Sequence, residues 1–325
     1  MKKKKLVLLI FEELLLTGLF LCVFALFHHV LPRMGLLTQT SEPVVISPVE
    51  SAEVTDEAQI PWREKFSEHF SAEPVLTENS YSSPQVSITI STHSQELDGY
   101  PQTWYVADIY VAQVQNFQTY AREGSFERYL SAPAEDIAQM AGALISINGD
   151  YCNAQVQYGF YVRNGVMYQD EQTTCDICVL YDDGVMKTYA PDEYTVEDIV
   201  AKSPYQVWKF GPELLDDEGN PKTDFNTSGA IAIGNPRSAI GYYEPGHYCF
   251  VVCDGRQADW SRGMTLEQLA GVFSELGCAA AYNLDGGASA TMTFNGQLYN
   301  RQSSYRELGD ILLIKETDTG KGGEA

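Results

Sequence analysis

Tyr282-Asn283-Leu284-Asp285-Gly286-Gly287-Ala288-Ser289-Ala290-Thr291 is the stretch on which the reading of this chain turns. A small, apolar run (residues 278–281) precedes it, and the alternating Thr291-Met292-Thr293-Phe294 follows. A carboxylate, a carboxamide and two glycines therefore stand at a strand end, where backbone can approach a ligand closely. Asp-Gly is also a strong hairpin signal, so by itself the stretch is divided between a turn and a site. Its neighbours decide.

Immediately upstream lies the best helix signal of the chain. Thr265-Leu266-Glu267-Gln268 is a capping box, Leu266, Leu269, Ala270, Phe273 and Leu276 mark one face, and Gly277 is placed to close it. Before it, residues 247–253 read as a strand ending in Asp254-Gly255-Arg256. A strand–helix–strand unit in one sheet is usually parallel, which brings Asp254 and Asp285 to one edge, where α/β sites collect. Asn235-Pro236-Arg237 and Asn148-Gly149-Asp150 show the same strand-end pattern. Two carboxylates, two arginines and carboxamides meeting at one edge suit chemistry on a sugar joined to an anion. The arginine fork matches phosphate, and paired aspartates are the working parts of glycoside cleavage. Taken singly, each motif is equally a turn with a structural ion pair.

The predicted class is α+β: a mixed β-sheet core with a few packed helices in a single globular domain. With 325 residues, 44% of them hydrophobic, the chain can bury a substantial core. A net charge of −23 argues against nucleic-acid partners, which require a basic face. The 20 tyrosines suit carbohydrate contact, although tyrosine is also ordinary in strands.

Lys2 to Lys5 form a basic cluster ahead of an apolar run that reaches Leu31, interrupted by Glu12 and Glu13. Without a small-x-small cleavage site after Phe27, residues 1–31 read as a signal anchor in preference to a cleaved signal peptide. The positive-inside rule then places the rest outside the cytoplasm. Residues 32–84, rich in Ser, Glu, Pro and Thr, read as an extracytoplasmic linker with a short helix near residues 61–70. Residues 85–315 are the predicted globular domain, and residues 316–325 a polar tail.

Ile147-Asn148-Gly149-Asp150-Tyr151, Val162-Arg163-Asn164-Gly165, Asn235-Pro236-Arg237-Ser238-Ala239-Ile240-Gly241, Asp254-Gly255-Arg256 and Asn283-Leu284-Asp285-Gly286-Gly287-Ala288-Ser289 resemble, in order, the phosphodiester glycosidase family. The resemblance covers roughly residues 104–314. Ser238 stands where family members often carry Thr, and Ala288 where they often carry Gly. The resemblance implies cleavage of a glycosidic bond to a phosphodiester-linked sugar, with a phosphate-linked glycan or cell-wall polymer as substrate. Under it, Arg237 and Arg256 hold phosphate, and Asp285 and Asp254 serve the anomeric carbon or activate water. Asn148, Gly149, Asp150, Asn235, Asn283, Gly286, Gly287 and Ser289 are the candidate substrate contacts. No cofactor is required, although Asp150, Asp254 and Asp285 together could take a divalent cation such as Ca²⁺ through oxygen ligands.

Two other readings compete. Gly287-Ala288-Ser289-Ala290-Thr291 resembles a serine-hydrolase nucleophile elbow, but Thr291 replaces the last glycine and a strand follows where a helix is needed. A non-catalytic envelope protein that binds phosphate-linked glycans is the other. Of the seven cysteines, Cys22 lies in the apolar run, leaving six for up to three disulfides. Cys175-Asp176-Ile177-Cys178 lacks a second pair at zinc spacing. Cys249 and Cys253 fall on one face of an apolar strand and read as buried thiols.

Overall fold

Alternation of apolar and polar residues builds the centre of the molecule. A computed structural model of the chain describes residues 2–26, 43–46, 61–124, 126, 130–150 and 159–317. In chain order the elements used below are α1 (Lys2–Ala25), β1 (Val86–Leu97), β2 (Tyr100–Val111), β3 (Phe117–Ala121), α2 (Ala134–Ala141) and β4 (Ile145–Asn148). They continue with β5 (Arg237–Glu244), β6 (His247–Cys253), α3 (Leu266–Glu275), β7 (Ala280–Asn283), β8 (Met292–Phe294) and β9 (Asp310–Ile314).

Three sheets form. A seven-stranded sheet runs in the order β7-β5-β6-β2-β1, then Ser80–Ser82 and Val75–Leu76. A five-stranded sheet runs Gln297–Leu298, β8, β4, β9, β3, and the third sheet carries the hairpins of residues 160–208. Ile88, Ile90, Ile109 and Phe250 on one face of the large sheet meet Ile145, Ile147, Met292 and Leu312 of the second and Trp208 of the third in one core. The opposite face, through Val106, Ala239, Val251 and Ala281, is covered by Leu266, Leu269 and Phe273 of α3. Such two-faced burial follows from the period of two along a strand.

The local signals are met. Thr265 Oγ1 accepts from the Gln268 N–H (3.2 Å) while Gln268 Oε1 accepts from the Thr265 N–H (3.0 Å), completing the capping box. Asn164-Gly165 and Asn295-Gly296 turn hairpins with positive φ at both positions, as paired Asn-Gly turns require.

β5 pairs antiparallel with both β6 and β7. β6 and β7, joined through α3, therefore run in the same direction with β5 between them. Every hydrogen-bonded strand pair among the described residues is antiparallel; the expected parallel relation arises only across β5. The start of β5 consequently lies beside the ends of β6 and β7. That edge receives Arg237, Asp254 and the stretch from Asn283 to Gly287.

One expectation is unsupported and one boundary differs. Among the described residues no helix is long and apolar enough to cross a membrane, so the anchor reading of residues 1–31 is unsupported. Residues 61–84, read as linker, belong to the folded body: the helix Trp62–Lys65 leads into buried Phe66, whose ring lies 5.1 Å from that of Tyr110. Val75–Leu76 and Ser80–Ser82 add strands to the large sheet. Their shortness and the polar residues around them hid these edge strands, of which Val75–Leu76 is exposed and Ser80–Ser82 buries Tyr81 in the main core. The linker between residues 47 and 60, the tail from 318, Tyr151 and Cys152 lie outside the described residues.

Candidate active site

A pocket of about 210 Å³ opens at the shared edge, lined by Phe210, Ile231, Asn235, Arg237, Arg256, Asp285, Gly286, Gly287, Ala288 and Arg306. It combines one carboxylate with three arginines. A larger cavity of about 740 Å³ lies by the opposite end of β7, among Met186, Lys187, Tyr189, Glu193, Asp216 and Asp217. Its charges are mainly acidic and it has no arginine, so it does not suit an anion.

The opening stretch is folded to present Asp285. Asn148 Nδ2 donates to the Asp285 carbonyl (2.7 Å), and Asn148 Oδ1 accepts from the Thr291 N–H (3.2 Å), clamping both ends of the loop. Gly286 passes so close to Pro236 that a Cβ there would stand 2.6 Å from its carbonyl oxygen. Gly287 adopts φ +65°, and a Cβ on it would meet Arg256 Nη2 at 2.9 Å. Gly286 is therefore needed for its close approach to backbone, and Gly287 for its left-handed conformation, since the exposed Arg256 side chain can move aside. The Tyr282 hydroxyl accepts from the Phe210 N–H (2.8 Å) and donates to the Asp176 carbonyl (2.7 Å), fixing the pocket's aromatic wall.

Asp285 Oδ1 accepts from the Gly286 N–H at 2.8 Å, and Oδ2 lies 3.7 Å from Arg306 Nη1. Its pKa is raised above the ordinary carboxylate value, chiefly by burial. The Ser289 hydroxyl, the Arg306 charge and the Gly286 N–H pull the other way, and the charge of Asp150 adds to the rise. A buried carboxyl poised upward beside cations is a recurring mark of a working acid or base.

The three arginines are not equivalent. Arg237 is buried, donating through Nε to the Met264 carbonyl (2.9 Å) and through Nη2 to the carbonyls of Ile231 and Ile233. Burial lowers its pKa to about 10. Its Nη1 has no hydrogen-bond partner among the described residues. Arg256 is exposed, sits at φ +59° and donates from Nη2 to Asn235 Oδ1 (3.1 Å). A left-handed arginine costs about 1–3 kcal/mol, and such strain clusters at functional sites. Arg306, half exposed, donates to Ser289 Oγ at 3.1 Å.

Several predicted residues fall elsewhere. Asp254 is absent from the pocket lining and behaves as a saturated acceptor. Oδ2 takes Trp260 Nε1 (2.8 Å), the Tyr105 hydroxyl (3.1 Å) and the Arg301 N–H (3.2 Å), and Oδ1 takes Asn300 Nδ2 (3.0 Å). Asp150 is fully buried, held by Arg163 Nη2 (2.7 Å) and the Lys209 N–H (2.9 Å). Asn283 is buried and donates to the Gly211 carbonyl (2.8 Å). Gly149 is covered by Asp310, whose side chain leaves no room for a Cβ. The suggested cation trio of Asp150, Asp254 and Asp285 does not assemble, because each carboxylate has its own protein partners. Among the described residues no group of three or more His, Cys, Asp or Glu side chains is placed to hold a metal ion.

Ser289 is buried with Arg306 and Asp285 as hydroxyl partners, neither of them a histidine base, and a strand follows it as the sequence implied. The described cysteines are all free, Cys249 and Cys253 buried among them. Sequence reasoning missed Arg306, Phe210 and Ile231. Phe210 ends an apolar run before Gly211-Pro212, a strand-end signal of the kind used elsewhere. Arg306 sits in an irregular loop with no periodicity to mark it.

Residues 141–315 match the sequence model of the phosphodiester glycosidase family. The chain belongs to this family. An uncharacterized SPbeta prophage-derived protein, YomE of Bacillus subtilis (strain 168), is 30% identical over 190 residues, which is 56% of this chain and 29% of that one. The chain thus spans under a third of the length of this curated relative. The catalytic domain of zebrafish N-acetylglucosamine-1-phosphodiester alpha-N-acetylglucosaminidase, auto-inhibited by its pro-peptide, superposes with a TM-score of 0.60 at 20% identity, covering 75% of this chain and 88% of that one. A hypothetical protein from Synechocystis gives a TM-score of 0.50 at 13% identity, covering 71% and 62%. At such identities the likeness shows a shared fold. Within the phosphodiester glycosidase family, this member has a sheet-rich α+β domain and a carboxylate–arginine pocket at the edge the strand order creates.

Proposed function

We propose that this chain hydrolyses the glycosidic bond between a sugar and a phosphodiester, acting on a cell-surface or exopolysaccharide glycan outside the cytoplasm. The observation that carries the reading is Asp285, a carboxyl of raised pKa 3.7 Å from Arg306, in a pocket that Arg237 and Arg256 also line. Family membership supports the reaction class. The location rests on the sequence pattern alone, a basic cluster at Lys2–Lys5 ahead of an apolar run, as in export signals.

The chemistry follows from the leaving group. A phosphate needs no proton to depart, so its loss calls for cations rather than a second carboxylic acid. Arg256 and Arg306 bind the bridging phosphate with forked donors, and Arg237 offers Nη1 from the pocket wall. Asp285 either takes the proton of a water that attacks the anomeric carbon as the phosphate leaves, or itself displaces the phosphate to form a glycosyl ester that water then hydrolyses. An arriving phosphate also offsets the Arg306 charge, which raises Asp285 further and makes it a stronger base.

The test is release of sugar from a GlcNAc-1-phosphodiester by the purified chain and by its Asp285→Asn variant. Turnover that the variant loses supports the reading. A variant with full activity would remove Asp285 from it, and binding without turnover would leave a glycan-binding envelope protein.

A further inference from the structure

The arginines of this acidic chain are unevenly placed. Two loops at the pocket edge, residues 254–263 and 300–309, carry Arg256, Arg262, Arg301 and Arg306 in a protein of net charge −23. Only Arg256 and Arg306 of these four line the pocket. The other two lie outside the lining, on the same loops. The 256–262 segment folds back on itself, the Arg256 N–H donating to the Arg262 carbonyl (3.0 Å) and the Gln257 N–H to the Ser261 carbonyl (2.9 Å). Gln257 Nε2 then donates to the Arg301 carbonyl (2.9 Å), fastening the second loop beside the first.

On this ledge each outer arginine lies on an aromatic face. The Arg301 guanidinium is 5.3 Å from the Trp260 ring centre, and that of Arg262 is 3.7 Å from Tyr100, a residue 45% exposed. Both arginines are exposed. Neither has a carboxylate ion-pair partner among the described residues. The ledge is supported from below: Trp260 Nε1 and the Arg301 N–H both donate to buried Asp254. The buried carboxylate thus holds an indole and an arginine in fixed relation beside the pocket.

We propose that this ledge is a second subsite, with Arg301, Arg262 and Trp260 holding the next phosphate and sugar of a chain whose scissile unit occupies the Asp285 pocket. The inference rests on the phosphodiester reading above and deepens it: the substrate class is a repeating glycosyl phosphate, not an isolated diester. Exposed arginines bind phosphate with forked geometry, while an indole face packs against sugar C–H groups. The four arginines outnumber the exposed acids of the same two loops, Asp259 and Glu307, so the edge attracts a polyanion, a contribution that added salt weakens.

The experiment compares two probes on the whole chain: a methyl phosphodiester of GlcNAc and an oligomer of about four GlcNAc-1-phosphate units. Equilibrium binding and turnover are measured for the wild type and for the surface double variant Arg262→Glu/Arg301→Glu. The oligomer is expected to bind about tenfold tighter than the small diester, and the double variant to lose that advantage while its melting temperature and handling of the small diester stay near wild type. Raising salt should shrink the same advantage. Oligomer binding unaffected by the charge reversal overturns the ledge, whatever the turnover. Binding that is lost on charge reversal, with no cleavage of either probe, sustains the ledge and removes the glycosidase reading instead.

Discussion

Arg306 Nη1 stands 3.7 Å from Asp285 Oδ2 and 3.1 Å from Ser289 Oγ, so one guanidinium spans the carboxyl and the serine that partners it. Burial raises the Asp285 pKa and the Arg306 charge partly restrains it. The balance sets the pH at which the carboxylate is available, and the cation that sets it is one of the three that line the pocket.

Removing that cation lets burial dominate. Arg306→Ala is expected to move the acidic limb of the kcat/KM–pH profile to higher pH, because the charge that lowers the Asp285 pKa is gone. The rate at neutral pH should fall by about 10–10²-fold with phosphate binding impaired. Arg306→Lys keeps the charge without the fork and should restore the limb more fully than the rate. An unmoved acidic limb in Arg306→Ala would separate the two residues.

Asp285→Asn should lower turnover by about 10²–10³-fold. It should also stabilise the fold at neutral pH. The folded pKa lies above the ordinary 3.8, so between the two values the folded state holds the proton more tightly. Stability from this group is therefore lost as pH rises through that window and stays lost above it. The asparagine variant avoids that loss. Its melting temperature should exceed the wild type's at pH 7, with the gain vanishing below the ordinary carboxylate value. A lower melting temperature at pH 7 would contradict the assignment.

Gly286→Ala tests the loop independently of charge. Its Cβ would meet the Pro236 carbonyl oxygen at 2.6 Å, forcing apart the two segments that carry Asp285 and Arg237. A displacement of about 1 Å at the reacting groups costs about 10² in rate. Activity should therefore drop far more than the unfolding midpoint, as an assay and a urea titration on the same preparation would show.

Much of this was legible because strands and caps announce themselves locally. The capping box at Thr265, the Asn-Gly turns and the strand-end aspartates needed only short-range chemistry, and the β6–α3–β7 unit fixed which ends would share an edge. Direction was less legible than position. Sequence shows that Asp254, Asp150 and Asn283 end apolar runs, but not whether a side chain turns toward solvent or toward donors brought from distant loops. Asp254 meets Tyr105, 149 positions away, and Asn300, 46 away. Arg306 was hidden for the converse reason: it reaches the site from an irregular loop, where tertiary packing alone aims it.

Asp254 contrasts with Asp285 at this edge: it lies outside the pocket lining and its oxygens are taken up by protein donors. Four donors converge on it: the Tyr105 hydroxyl, Trp260 Nε1, Asn300 Nδ2 and the Arg301 N–H. Asp254→Ala leaves them without their acceptor, and buried groups so orphaned cost about 1–3 kcal/mol each unless water reaches them. The expected result is a marked fall in the urea midpoint, while the folded fraction turns over a small diester much faster than Asp285→Asn does. Asp254→Asn preserves the shape but sets an NH₂ group against inward-pointing donors, so it should destabilise as well. A variant of Asp254 with wild-type stability and no turnover would return this carboxylate to the chemistry, because no loss of scaffold could then explain the loss of rate.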